Sequence, residues 1–144
     1  MHVKDVMVKE IITVGPTKKI RDAVELMNKN EIGCLVVTRK DKPVGIMTER
    51  DILKKIVCGG KNPEQTRVSE IMSKPLVVGR GDMDWLEAVK LMLDRNIKKL
   101  PILDGERLVG LLTLTDIART RMLQALEIDT LTFGILSRHT QTPG

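Results

Sequence analysis

Val44-Gly45-Ile46-Met47-Thr48-Glu49-Arg50-Asp51-Ile52 is followed, 65 residues later, by Val109-Gly110-Leu111-Leu112-Thr113-Leu114-Thr115-Asp116-Ile117. Both stretches run from an apolar, strand-like segment with an early glycine into a helix whose first turn carries Thr and, three residues on, Asp. The correspondence extends outward without a gap. Residues 6–53 align with 71–118, and 13 of the 48 pairs are identical, with eight more apolar against apolar. Chance similarity does not hold register through two loops, so the chain contains one internal repeat.

Each copy reads the same way. Ile11-Ile12-Thr13-Val14 and Leu76-Val77-Val78 are short, β-branched strand segments. Thr17 and Asp82 are expected to cap the helices that follow. Ile20, Ala23, Val24 and Met27, and likewise Trp85, Ala88, Val89 and Met92, recur at spacings of three and four and give each helix one apolar face. Cys34 to Val37 pairs with Val44 to Met47 around a polar turn, and Leu100 to Leu103 with Leu108 to Leu112 around Asp104-Gly105. Thr48 and Thr113 open the last helix of each copy. The unit is thus β-α-β-β-α. Residues 1–60 form the first repeat, 61–67 a polar Pro-containing linker, 68–122 the second repeat and 123–144 an extension without a counterpart. A unit of about 60 residues buries too little surface to stand alone. The expectation is an α+β fold in which both repeats pack as one pseudo-two-fold module around a shared cleft.

Composition narrows the function. With 42% hydrophobic and 30% charged residues, the chain is an ordinary globular one and not a disordered one. No apolar run reaches the roughly 20 residues that a membrane span needs. Met1-His2-Val3-Lys4-Asp5 does not open like a signal peptide, so a cytoplasmic location is expected. The net charge of +5 is spread over both halves. Aromatic stacking residues are limited to Trp85 and Phe133, which argues against single-strand nucleic-acid binding. Cys34 lies in an apolar run and reads as a core residue, and the scattered Cys and His residues do not suggest a zinc site. No Ser/His/Asp grouping, paired His ligands or phosphate loop of the GxxxxGK type supports catalysis.

The Thr-x-x-Asp turns carry two readings. Thr and Asp can cap the helix. Alternatively, helix N-terminal amides favour an anion, a carboxylate can accept two hydrogen bonds from a vicinal diol such as ribose, and the early glycine lets a ligand approach the backbone. Lys98-Lys99, at the entrance to the second strand of repeat two, can neutralise phosphate or sit as a solvated helix end. The matching Gly33-Cys34 carries no charge.

With Val6-Met7 and Ile71-Met72, Ile32 to Val37, Asn96 to Ile102 and the two Gly-to-Ile stretches quoted first, the chain resembles a tandem pair of CBS domains, a Bateman module, over about residues 1–122. The resemblance implies ligand sites between the repeats for AMP, ADP or ATP, with S-adenosylmethionine as an alternative, and no cofactor beyond that ligand. It implies a site A of Thr48, Arg50 and Asp51 with Val77, Val78, Lys98, Lys99 and Pro101. It implies a site B of Thr113, Thr115 and Asp116 with Ile12, Thr13, Gly33, Cys34 and Leu35. It also implies a homodimer of pairs and a regulatory, non-enzymatic role that an effector protein would read. Site A as assembled carries three cations and site B none, so site A is expected to hold a phosphorylated nucleotide more tightly. An assembly scaffold with a vestigial cleft is the alternative function, and nucleic-acid binding stands behind both.

Overall fold

A computed structural model describes residues 1–74 and 76–133, with side chains to residue 126. Two three-stranded mixed sheets form its centre. In the first, β1 (Thr13–Val14) runs parallel to β2 (Cys34–Arg39), which pairs antiparallel with β3 (Lys42–Thr48). Helix α1 (Ile20–Asn30) connects β1 to β2, and β3 leads into the short α2 (Glu49–Asp51), continued by a wider π-helical stretch over Ile52–Val57. After α3 (Val68–Ile71), the second sheet repeats the order: β4 (Gly79–Arg80), α4 (Trp85–Asp94), β5 (Lys99–Asp104), β6 (Arg107–Thr113) and α5 (Leu114–Phe133). The α+β fold of two β-α-β-β-α repeats packed together is as the sequence implies.

The apolar faces read from spacing are the buried ones. Ile20, Ala23 and Met27 of α1 pack with Leu35, Val37 and Met47 of the first sheet. Ala88 and Met92 of α4 pack with Leu100, Ile102 and Leu112 of the second. The helix starts fall later than expected. Lys19, not Thr17, stands at the N-cap of α1, without a side-chain cap bond, and Asp84, not Asp82, caps α4 by accepting from the Leu86 N–H at 3.1 Å. The first strands shift as well: β1 holds only Thr13–Val14, and β4 is Gly79–Arg80 and not the Leu76 to Val78 run. In that run Val77 turns onto the second core instead of pairing.

The two cores are interlocked by exchanged arms. Val3 and Val6, at the head of the chain, are buried in the core of the second repeat. Val68 and Ile71, at the head of the second repeat, are buried in the core of the first. Backbone bonds fix each arm: Val3 N–H to Met83 O at 2.9 Å and Val8 N–H to Leu111 O at 2.9 Å, against Val68 N–H to Lys18 O at 2.8 Å and Ser73 N–H to Ile46 O at 2.8 Å. Sequence spacing alone does not reveal this crossover. An arm of a few apolar residues has the same pattern whichever core it enters.

The arms also account for the early glycines. A Cβ at Gly45 would stand 2.6 Å from Met72 Sδ, and one at Gly110 would overlap Met7 Sδ. The space over each glycine is filled by a methionine of the other repeat's arm, and not left open for a ligand. The extension from Leu123 begins inside α5, and Leu123 and Leu126 are exposed. The side chains of Ile128, Leu131 and Phe133, and residues Ile135 and Leu136, lie outside the described set. Among the described residues, no helix is long and apolar enough to cross a membrane.

Candidate functional site

The strand-to-helix junctions of both repeats, with the entrance of β5, bound the candidate site. A cavity of about 620 Å³ is lined by Ile46, Thr48, Glu49 and Arg50 of the first repeat, Ser73 of the crossing arm, and Asn96, Ile97, Lys98 and Lys99 of the second. Four residues of the expected site A, namely Thr48, Arg50, Lys98 and Lys99, therefore meet in one space. Among the described residues none of the three cations is ion-paired to a carboxylate, whereas Lys42, Lys55, Arg21, Arg80 and Arg119 each are. Glu49 lines the same space, so a dianion entering here would meet three cations against one carboxylate, a net positive charge that offsets its desolvation.

The other residues assigned to site A stand behind or away from this space. Asp51 is buried, with 8% of its surface exposed. Its Oδ2 accepts from Thr48 N–H at 2.9 Å, from Thr48 Oγ1 at 3.1 Å and from Ser73 Oγ at 3.3 Å; its Oδ1 accepts from Ser73 Oγ at 3.1 Å and pairs with Lys55 Nζ at 3.4 Å. Lys55 Nζ also donates to Ile71 O at 2.7 Å, tying the arm to the network. Pro101 is buried in β5, Val77 half-buried in the second core and Val78 exposed; none of them lines the cavity.

Site B is arranged differently. Thr113 Oγ1 donates to Asp116 Oδ2 at 2.7 Å and accepts from Asp116 N–H at 3.0 Å. Among the described residues, Asp116 Oδ1 meets only Arg119 Nη1, at 3.7 Å. Thr115 is exposed, Cys34 and Leu35 are buried, and Ile12 packs against the first core. Thr13 opens instead into a separate cavity of about 320 Å³ with Lys9, Ile11, Thr38, Asp41, Arg107 and Leu108. The residues expected in site B include no cation, but one assigned to site A stands close to them. Lys99 Nζ lies 3.4 Å from the position of a Cβ on Gly33 and acts on the Cys34 thiol. Burial pushes the Cys34 thiol up, and Lys99 partly opposes that shift. Lys99 thus belongs to the boundary between the sites. Its charge reaches Gly33 because the entrances of β2 and β5 face each other.

The helix-terminal amides are largely spent. Glu49 N–H donates to Gly33 O at 3.0 Å, Asp51 N–H to Thr48 Oγ1 at 3.3 Å, and Leu114 N–H to Lys98 O at 3.3 Å. Both Thr-x-x-Asp turns are therefore capped from within, and attraction for an anion falls to the Arg and Lys side chains. Sequence reading missed Ser73, Asn96 and Glu49. Asn96 and Glu49 adjoin residues that were singled out. Ser73 gave no signal, because the position matching it by the 65-residue shift is Val8.

The profile of the CBS domain matches residues 3–58 and 68–122. The chain is 42% identical over 119 residues to the uncharacterized protein MK0525 of Methanopyrus kandleri, covering 81% of this chain and 61% of that protein. It spans less than two thirds of that relative. It is 38% identical over 120 residues to the CBS domain-containing protein YhcV of Bacillus subtilis, covering 83% of this chain and 85% of YhcV. A proposed signal-transduction protein with CBS domains from Burkholderia ambifaria superimposes with a TM-score of 0.75 at 33% identity, over 80% of this chain and 85% of that one.

Proposed function

The chain belongs to the CBS domain family as a tandem pair, and from that premise we propose that it is a non-enzymatic regulatory sensor taking an adenine nucleotide between its repeats. The observation that carries this reading is the cavity of about 620 Å³ in which Thr48 and Arg50 of one repeat meet Lys98 and Lys99 of the other. A phosphate carrying close to two negative charges fits there better than a cationic or neutral group. AMP, ADP or ATP is therefore preferred over S-adenosylmethionine, whose sulfonium would face three cations. Thr113, Thr115 and Asp116, with Ile12, Thr13, Gly33, Cys34 and Leu35, form the second and weaker site in this reading. Asp51, Val77, Val78 and Pro101, also assigned to the first site, stand outside the lining of its cavity.

Residues 1–60 and 68–122 act as the two sensor repeats joined by 61–67, and an effector protein reads their state. Exposed Leu53, Val57, Leu86, Leu93 and Met122 on the helical side support assembly of two such pairs. No residue set supports catalysis, and a cytoplasmic location accords with the composition.

The test is calorimetric titration of the wild-type chain and of Lys98→Met/Lys99→Met with AMP and with adenosine. The expected result is AMP binding that the double substitution weakens far more than adenosine binding, with a loss that shrinks as salt rises. Absence of heat with every nucleotide would favour a scaffold. Duplex binding with a steep salt slope would favour a nucleic-acid role.

A further inference from the structure

The halves of the module share a backbone but not the chemistry around their aspartates. A carboxylate offers about four lone-pair sites, and holding a vicinal diol takes two of them. At Asp51, Thr48 N–H and Thr48 Oγ1 donate to Oδ2, the one Ser73 hydroxyl proton lies between the two oxygens and nearer Oδ1, and Lys55 Nζ pairs with Oδ1. Two adjacent acceptor positions are not left for a ligand. At Asp116, Oδ2 accepts from Thr113 Oγ1, and among the described residues Oδ1 meets the exposed guanidinium of Arg119 at 3.7 Å.

The difference traces to two positions. The 65-residue shift places Val8 opposite Ser73 and Thr120 opposite Lys55. Val8 makes the same pair of backbone bonds to Leu111 that Ser73 makes to Ile46, but brings no hydroxyl to the neighbouring aspartate. The arm is equally anchored in both halves, and only one arm locks its carboxylate. The locked half is also the half whose cavity gathers Arg50, Lys98 and Lys99.

We infer that the cavity between Arg50 and Lys98-Lys99 holds its ligand through the anionic group without reading a ribose diol, because Ser73 and Lys55 lock Asp51, and that diol recognition resides at Asp116. This rests on the nucleotide reading above for its ligand class, but not for its anion. Site A accordingly accepts 2′,3′-dideoxy-AMP nearly as well as AMP and is open to inorganic pyrophosphate. Ser73 and Lys55 are positioning residues: they act on specificity through Asp51.

The experiment is calorimetric titration of the full chain carrying Asp116→Asn, which removes the other diol acceptor, with AMP, 2′,3′-dideoxy-AMP and pyrophosphate. AMP and its dideoxy analogue are expected to bind within about twofold of each other, and pyrophosphate to compete with AMP. Adding Ser73→Ala and Lys55→Met together frees two acceptor positions and is expected to raise the preference for AMP to about tenfold, as the freed carboxylate gains two hydrogen bonds, with smaller gains in either single variant. A tenfold preference already present with Ser73 and Lys55 intact, no gain in the single or the combined variants, or pyrophosphate that fails to compete with bound AMP, overturns the inference while leaving the nucleotide reading standing. Pyrophosphate that binds, and is lost in Lys98→Met/Lys99→Met, in a chain that takes no nucleotide refutes the nucleotide reading and upholds the anion site. Binding of neither refutes both.

Discussion

Replacing Val3 by Ala tests the arm exchange at its most buried point. Val3 has no exposed surface and packs with Ala88, Met92 and Leu100, all of the second repeat. Two methyl groups are lost, at about 0.8 kcal/mol each, and incomplete closure of the cavity brings the expected loss to about 2–3 kcal/mol. The readout is built in. Trp85 is the sole tryptophan, it packs on the same core, and its N–H donates to Met1 O at 3.1 Å at the root of the same arm. Urea unfolding followed by Trp85 fluorescence and by far-UV circular dichroism should show the midpoint falling at unchanged slope. Val8→Ala is the internal control: Val8 lies on the same arm but is 44% exposed, so its replacement should stay within about 0.5 kcal/mol. A Val3→Ala loss no larger than that of Val8→Ala would refute the claim that the first residues of the chain complete the core of the second repeat.

Gly45→Ala should cost about 1–3 kcal/mol by thermal melting, since its Cβ would stand 2.6 Å from Met72 Sδ and 3.2 Å from the Ser73 carbonyl oxygen. Pairing it with Met72→Ala should give a loss smaller than the sum of the two, and strict additivity would speak against the contact. Glu31 ends α1 in the left-handed region at φ 53°, where Asn96 ends α4 at φ 52°. Glu31→Asn, matching its counterpart, should therefore raise stability by about 0.5–1 kcal/mol in the same melts. Burial raises the Cys34 thiol above its ordinary value, with Lys99 opposing. The folded state thus holds that proton more tightly than the unfolded state, and stability should be flat below the ordinary thiol range and fall as pH rises through it. Cys34→Ala should remove that alkaline decline in urea melts compared at neutral and alkaline pH, and a decline that persists unchanged would assign it to other groups.

What the sequence made legible was governed by local periodicity. The helix faces of α1 and α4 and the two hairpins follow from side-chain spacing, because burial on one face constrains every third or fourth residue of a helix. The early glycines were visible but their cause was not: a glycine under a methionine and a glycine under a ligand leave the same mark. Thr17 and Asp82 are good capping residues in isolation. The arms displace them, since Val68 N–H takes Lys18 O and Val3 N–H takes Met83 O, holding those turns outside the helices. For the site, Thr48 and Lys98-Lys99 stood out by residue type and position and Arg50 through the family resemblance, and the four meet in one cavity. Neither route separated Thr13, which opens elsewhere, or supplied Ser73, whose contact with Asp51 spans 22 residues of sequence.

The repeat itself shows which positions carry fold and which carry chemistry. Where the halves agree, the same backbone bonds recur. Ile32 N–H to Met27 O is matched by Ile97 N–H to Met92 O, and Glu49 N–H to Gly33 O by Leu114 N–H to Lys98 O. These bonds are made by main chain and tolerate any side chain that fits. Among the positions where the halves differ are those that line the cavity or hold its aspartate. Arg50 faces Thr115, Glu49 faces Leu114, Lys98-Lys99 faces Gly33-Cys34, and Ser73 and Lys55 face Val8 and Thr120 under the 65-residue shift. A backbone that repeats thus carries unlike side chains around its cleft. Lys99 shows how far the inequality reaches: it lines the cavity of about 620 Å³, and its ammonium also lies 3.4 Å from the position of a Cβ on Gly33 and opposes the effect of burial on the Cys34 thiol of the first repeat.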